Sequence, residues 1–358
     1  MLVLLLVASV LPVAVVVLGG GVPAGAVDDF GVLSTLAGSG AVGQADGAAG
    51  SASFDSLVDL AATYDGRYLY VLEVSSGGSR ENMIRKVDTG DGSVSTFVTE
   101  SEAPALQAPK SIQVDRFGQV WVSVSISAAE KGIVRFDEPH SSGTVVMSGL
   151  CCGFDGTALV GDGFKPAGFY LYYSHAGPDD GHGHRFNELY RIPLDDLPAS
   201  GDDGEALGGP GSFTRSQVKD MEFGADDRLY LAWDGTGGGQ QLWRFDGPGS
   251  FTRLDDDFSD RNRIAFARGS SSMYHLCFWW CPTATGGEGR HELLRRDGFG
   301  DSAETRIAGE WMGYDEGSPG MMGVPVGLAL SPQGTVAWIA DQGNHRIRRV
   351  GLPEDPNR

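Results

Sequence analysis

"IADQGNHRIRRV", residues 339–350, reads as the end of an apolar strand, a polar Gly-containing turn and a basic strand, and the chain stops a few residues later. With "VAWIAD" (336–341) ahead of it, the stretch makes a hairpin. A lone hairpin is at best marginally stable in water, so its neighbours must come from elsewhere in the chain. The search starts with copies of its second strand. The shape apolar-x-basic, usually followed by Asp, recurs as "IRKVD" (84–88), "IVRFD" (133–137), "LYRIP" (189–193), "LWRFD" (242–246) and "LLRRD" (293–297). The basic residues Lys86, Arg135, Arg191, Arg244, Arg295 and Arg349 are spaced by 49, 56, 53, 51 and 54 positions, a near-constant period.

Each copy follows an aromatic-aliphatic run: "YLYVLE" (68–73), "VWVSV" (120–124), "YLYYS" (170–174), "LYLAW" (229–233), "MYHLCF" (273–278) and "VAWIAD" (336–341). Tight-turn sequences such as "YDGR", "DRFGQ" and "SPQGT" precede these runs, and short apolar strands precede the turns. A fourth strand follows the basic one, as in "GSVSTFV" (92–98), "GTVVMSG" (143–149), "GSFTRS" (211–216), "GSFTRL" (249–254) and "ETRIAG" (304–309). Six units of four short antiparallel strands, with no helical period, predict an all-β fold: a six-bladed β-propeller of four-stranded antiparallel blades. The sixth unit lacks its fourth strand. "GVLSTLAG" (31–38) matches "GSVSTFV", so the N-terminal strand is expected to close the last blade and remove its exposed edge.

The same residues carry a family resemblance. "VLSTLAGSG" (32–40) together with "ADQGNHRIRRV" (340–350), through Asn344, His345, Arg346 and Ile347, resembles the NHL repeat. The resemblance covers 31–352 and is strongest in units one and six; units two to five keep the layout without the Asn-His pair. It implies a propeller, and for most members a module that binds protein, RNA or a ligand; a minority of six-bladed relatives are metal-dependent lyases or lactonases. Fold is better specified than function by such a likeness.

Composition narrows the setting. The 358 residues carry 47 acidic against 27 basic side chains, a formal net charge of −20, which disfavours nucleic acid and anionic lipid. The repeated strand-c cations are therefore expected to pair locally rather than form a nucleic-acid stripe. Residues 2–18 are almost wholly apolar, and Ala24 and Ala26 form an A-x-A pattern, so 1–26 is expected to be an export signal cleaved after Ala26 or, since no basic residue precedes the apolar run, a membrane anchor within residues 1–21. Residues 27–358 then form a secreted or extracytoplasmic, monomeric propeller domain. Cys151, Cys152, Cys277 and Cys281 suggest two disulfides; Cys277–Cys281 and bridges to the 151–152 pair both remain open, with a zinc site as the rival reading.

Candidate site residues fall in three groups. Asp59, Ser111, Asp220 and Arg263 occupy the channel position of the inner strands, where Gly327 stands in unit six. Asp59 and Asp220 come from opposed units and suit Ca2+ with carbonyls and water; pairing of one Asp with Arg263 is the alternative. "SHAGPDDGHGH" (174–184) offers His175, Asp179, Asp180, His182 and His184 for Zn2+. Trp279 and Trp280 in "FWWC", and Trp311 and Tyr314 in "GEWMGYDEG", are expected in loops or strand ends, as a stacking platform for a sugar or small molecule, a hot spot for a protein partner, or core filling. Long insertions at 39–54, 99–107, 175–186, 279–290 and 310–323 place binding on the face where the inner strands begin; 194–211 is expected to be a flexible acidic loop on the other face. The resulting expectation is an exported binding module working through its long-loop face, with a metal-dependent lyase or hydrolase at the channel mouth as the alternative.

Overall fold

The structure is a computed structural model. It describes residues 30–127, 130–137, 142–150, 158–160, 169–176, 187–209, 218–234, 240–255, 258, 261–281, 287–298 and 304–354. The residues of the expected signal or anchor lie outside these. Among the described residues no helix is long and apolar enough to cross a membrane.

Six sheets form the ring, and within each blade the strands are lettered a to d from the channel outwards. Blade one is Ser56–Ala62, Tyr68–Val74, Met83–Asp88 and Val94–Thr99. Blade two is Ser111–Val114, Val120–Ser125, Lys131–Phe136 and Thr144–Leu150, and blade three Ala158–Val160, Tyr170–Ala176, Asn187–Pro193 and Glu205–Gly208. Blade four is Val218–Phe223, Leu229–Asp234, Gln240–Gly247 and Ser250–Asp255. Blade five is Arg261–Phe266, Met273–Cys281, Gly287–Arg296 and Glu304–Ala308. Blade six takes strands a to c from Pro325–Leu330, Val336–Asp341 and Arg346–Gly351, and its strand d from Leu33–Ala37. That last pairing is antiparallel, Leu33 opposite Val350 and Ala37 opposite Ile347, so the quoted hairpin finds its missing neighbour at the other end of the chain.

A blade in a ring has a neighbour on each side, so its middle strands are buried on both faces. This is why strand b reads as a near-continuous apolar run rather than an alternating one. Tyr68–Val74 buries all five of its central residues and Val120–Ser125 its first five. Each seam between adjacent blades has its own apolar core. Tyr70, Leu72 and Phe97 meet Val120, Val122 and Phe136 between blades one and two. Ile339 and Val350 meet Leu276 and Leu293 between six and five, and Trp338 and Ile347 meet Leu57 and Val71 between six and one. The a–b turns use their sequence signals: Gly118 sits at φ 83° while Asp115 accepts the Phe117 and Gln119 N–H groups and the Trp121 indole N–H.

Three local expectations are corrected. Strand d of blade three is Glu205–Gly208, inside the stretch expected to be a flexible loop, and not 211–216, which lies outside the described residues. Within that stretch Ala199–Ser200 pairs in parallel with Met147–Ser148, making blade two five-stranded and departing from purely antiparallel four-stranded blades. A capping box orders the next turn, Ser200 N–H donating to Asp203 Oδ2 at 2.7 Å. Acidic, Gly-rich composition hid this because its order comes from pairing with a neighbouring blade, which composition does not register. Of the two placements expected for Trp279 and Trp280, a loop or a strand end, the structure shows the strand end: strand b of blade five continues to Cys281. A Cys277–Cys281 bridge is excluded for the same reason: four residues of extended strand separate their Cα atoms by about 13 Å, roughly twice a disulfide's reach.

Candidate functional site

The inner strands bring the predicted channel residues together. Asp59 and Asp220 are 5% and 8% exposed. Asp59 accepts the N–H of Ile112 on blade two at 3.2 Å, and Asp220 that of Ile264 on blade five at 2.7 Å, so each carboxylate laces its strand to the next blade. Arg263 reaches across the channel to Asp59, Nε to Oδ1 3.2 Å, and donates to the Lys219 carbonyl at 3.3 Å. Ser111 Oγ lies 3.0 Å from Ser123 Oγ within blade two. In blade six the position must be Gly: a Cβ on Gly327 would stand 2.8 Å from Leu60 N and 3.0 Å from Asp59 Cα. Arg263 thus occupies the neighbourhood where an ion between Asp59 and Asp220 was expected. Burial holds the Asp59 carboxyl above the usual carboxylate range in spite of Arg263, and pushes Asp220 up to about 7 with Asp59 adding to the rise.

On the loop expected to bind metal, His175 is buried, with Nε2 3.1 Å from Asp202 Oδ1 and its ring against Tyr190. Asp179, Asp180, His182 and His184 lie outside the described residues. Among the described residues, no group of three or more His, Cys, Asp or Glu side chains is arranged to hold a metal ion. His291 and His345 have local partners: His291 stacks on Phe278 and places Nδ1 3.1 Å from the Met322 carbonyl, and His345 Nδ1 is 2.7 Å from the Asp55 carbonyl, joining blade six to blade one.

The long-loop face shows the expected aromatic side chains in segment 310–323. Trp311, Met312 and Tyr314 are 47%, 55% and 44% exposed. The Arg290 guanidinium lies over the Trp311 ring at 4.9 Å, and that of Arg346 over Tyr314 at 4.1 Å. The segment itself is tied down. Trp311 bridges Arg290, Met312 bridges Met322, Asn344 donates to the Gly313 carbonyl at 2.7 Å, and Arg348 to the Asp315 carbonyl at 2.9 Å.

Two residues that the sequence reading passed over hold this face in place. Arg85 is fully buried and donates to Glu73 Oε1 at 2.8 Å, Asp46 Oδ1 at 2.7 Å and the Ser53 carbonyl, anchoring insertion 39–54. Arg348 is equally buried, pairs with Asp341 Oδ2 at 3.1 Å and anchors insertion 310–323 through Asp315 and Met321. The signal was present: "IRKVD" and "IRRVG" each carry two adjacent cations, and on a strand the first must face opposite to the second. The expected local pairing of the second set holds for Arg135, Arg244 and Arg295, each bridged to the Asp two residues on.

A further concave space lies on the other face. A cavity of about 490 Å3 opens where the inner strands end, lined among others by Ala61, Tyr64, Arg116, Glu222, Phe266 and Arg268. Sequence reasoning set this face aside because its turns are short; short turns leave the channel mouth uncovered.

No family model matches the chain, and no curated protein matches it. Solved structures do match. An auxiliary nutrient binding protein from Bacteroides thetaiotaomicron superposes with a TM-score of 0.60 at 12% identity, over 89% of this chain and 76% of that one. A protein of the same description from Bacteroides ovatus gives 0.59 at 16% identity, over 90% and 77%. A gluconolactonase from Xanthomonas campestris gives 0.53 at 12% identity, over 90% and 89%. At these identities the likeness shows the fold: this chain is a six-bladed β-propeller.

Proposed function

We propose that the chain is an exported, NHL-type propeller that acts as a monomeric binding module through its long-loop face. The observation that carries this reading is the Trp311–Tyr314 shelf. Three large side chains are about half exposed on a segment that bridges, hydrogen bonds and two arginines fix in one conformation. Exposed aromatic groups held rigid offer contact area at little ordering cost, which is what a sugar-stacking or protein-docking site needs. The nutrient-binding structures with the same fold agree with a binding role. Export is supported by the apolar N-terminus and by Cys277, which is disulfide-bonded, a state suited to an oxidising compartment. The lyase or hydrolase alternative needs an open set of metal ligands at the channel, and the Asp59–Arg263 pair gives it no support.

The test is titration of an oligosaccharide panel against the purified propeller, read by tryptophan fluorescence and calorimetry, on the native protein and on Trp311→Ala with Tyr314→Ala. A ligand bound by the native protein and weakened at least about tenfold, roughly 1.4 kcal/mol, by the double substitution supports the shelf. A ligand whose affinity ignores both substitutions removes it.

A further inference from the structure

The cavity at the short-turn face does not end at the channel mouth. A second hollow of about 300 Å3 lies beside it, between blades one and two, and Thr63, Tyr64 and Arg116 line both, so the two form one trough. Its charged lining is balanced. The acids are Asp65, Asp115 and Glu222 and the cations Lys86, Arg116 and Arg268, three against three on a chain of net charge −20. These charges are interleaved and engaged rather than held in separate zones. Asp65 accepts from the Thr63 hydroxyl at 2.7 Å, and Asp115 from its turn and from Trp121. Lys86 stands over the Tyr68 ring at 4.2 Å, and Arg268 donates to the Tyr64 carbonyl at 2.8 Å while its charge bears on Glu222. The rest of the lining is largely aromatic. Tyr64 and Phe117 stand at turn tips, 44% and 66% exposed, and neither tip is loose. The Arg268 guanidinium covers one face of Tyr64 at 3.5 Å, and Gly66 in the same turn packs so close to blade six that a Cβ there would stand 2.5 Å from Pro332 Cδ. Arg116 lies against Phe117 at 4.6 Å, in the turn that Asp115 closes.

We propose that this trough binds a short, uncharged oligosaccharide, its inner ring beside Glu222 and Gln113 in the cavity and its outer rings against Tyr64 and Phe117. A ligand with a net charge would need a counter-charge, and the trough has none in excess. Sugar hydroxyls need none, because each both donates and accepts and so pairs with acids, cations and amides alike. Burial, with Asp220 adding and Arg268 opposing, pushes the Glu222 carboxyl up to about 8. Near neutrality it carries its proton, and a protonated carboxyl likewise donates and accepts. The ring faces of Tyr64 and Phe117 suit the apolar C–H face of a sugar ring, and because both turns are already fixed the contact costs little ordering. Hollows of this size enclose most of a ligand of that class. The trough is separate from the aromatic shelf on the opposite face, and the outcome at one does not decide the other.

The experiment is isothermal titration of the full propeller at pH 7 with the neutral trisaccharides cellotriose, maltotriose, xylotriose and triacetylchitotriose, alongside the cationic glucosamine trimer and the anionic galacturonate trimer. The expected result is that at least one neutral trisaccharide binds, and binds at least about tenfold more tightly than both charged trimers. Tyr64→Ala and Phe117→Ala, at exposed turn tips where folding is little affected, should each weaken it by about tenfold. Glu222→Gln, which keeps a donor and an acceptor, should hold the affinity within about threefold, whereas Glu222→Leu should lose about tenfold. No binding by any neutral trisaccharide, or a charged trimer binding best, would overturn the proposal. So would a saccharide that ignores Tyr64→Ala and Phe117→Ala but is lost with Trp311→Ala and Tyr314→Ala together, since that result puts the sugar on the shelf.

Discussion

The two ends of the propeller handle buried charge differently. On the long-loop face two buried acids each hold a buried arginine, Glu73 with Arg85 and Asp341 with Arg348, and both arginines use their remaining donors on an insertion. Along the channel towards the short-turn face, Asp59 and Asp220 share Arg263, and Glu222 feels Arg268. The first arrangement is saturated and serves architecture. The second is short of positive charge, and a site short of charge can still respond to a ligand or a proton. Counting donors against acceptors separates the two where the mere presence of charged residues does not.

The largest effect expected from breaking this contrast is on the saturated side. Arg85→Ala or Arg348→Ala leaves a buried acid without its partner and releases an insertion, and each should cost about 3–5 kcal/mol of stability in denaturant unfolding. If either costs under about 1 kcal/mol, the pairs are not what anchors the insertions. Gly327→Ala tests the plug from the backbone side. Its Cβ meets the backbone of blade one at 2.8–3.0 Å, and a loss of about 1–3 kcal/mol is expected.

Both ends should appear in the pH dependence, since burial also pushes Glu73 up to about 7 in spite of Arg85; the channel acids add to it. Asp220 and Glu222 titrate near 7 and 8 in the folded chain and near 4 when unfolded, so the folded state binds more protons between pH 4 and 8. Unfolding releases them, and stability falls as pH rises through that window. Glu222→Gln removes one such group. It should stabilise the protein by about 1–3 kcal/mol at pH 8.5 with little effect at pH 4, flattening the profile of denaturation midpoint against pH. An unchanged profile would mean that Glu222 is ionised and solvated in the native state. The smallest effect is on the shelf: Trp311→Ala should change stability by about 0.5–1 kcal/mol, because half of the side chain is already in water, so any large loss of ligand binding there reports contact rather than unfolding.

Much of this was legible from strand spacing. Strand b of blade six was predicted at its observed bounds, and strand c of blade one within a residue, because double-sided burial writes a continuous apolar run between turn residues. Blade three was the exception. Its fourth strand is short and Gly-rich, so nothing local distinguishes it from the acidic loop that contains it. Asp59, Asp220 and Arg263 could be placed in the channel by aligning repeats, but alignment could not say whether the two acids held an ion or an arginine, since that depends on reach across the ring.

By itself, then, the sequence determined the number of blades, the strand order and the closure of the ring, because period and apolar runs are properties of neighbours along the chain. Which charges pair, which stay short of a partner and which face keeps an open cavity were decided only in the tertiary structure. Those depend on distances between residues some 50 to 200 positions apart, such as Asp59 and Ile112 or Asp59 and Arg263, and no local pattern encodes them.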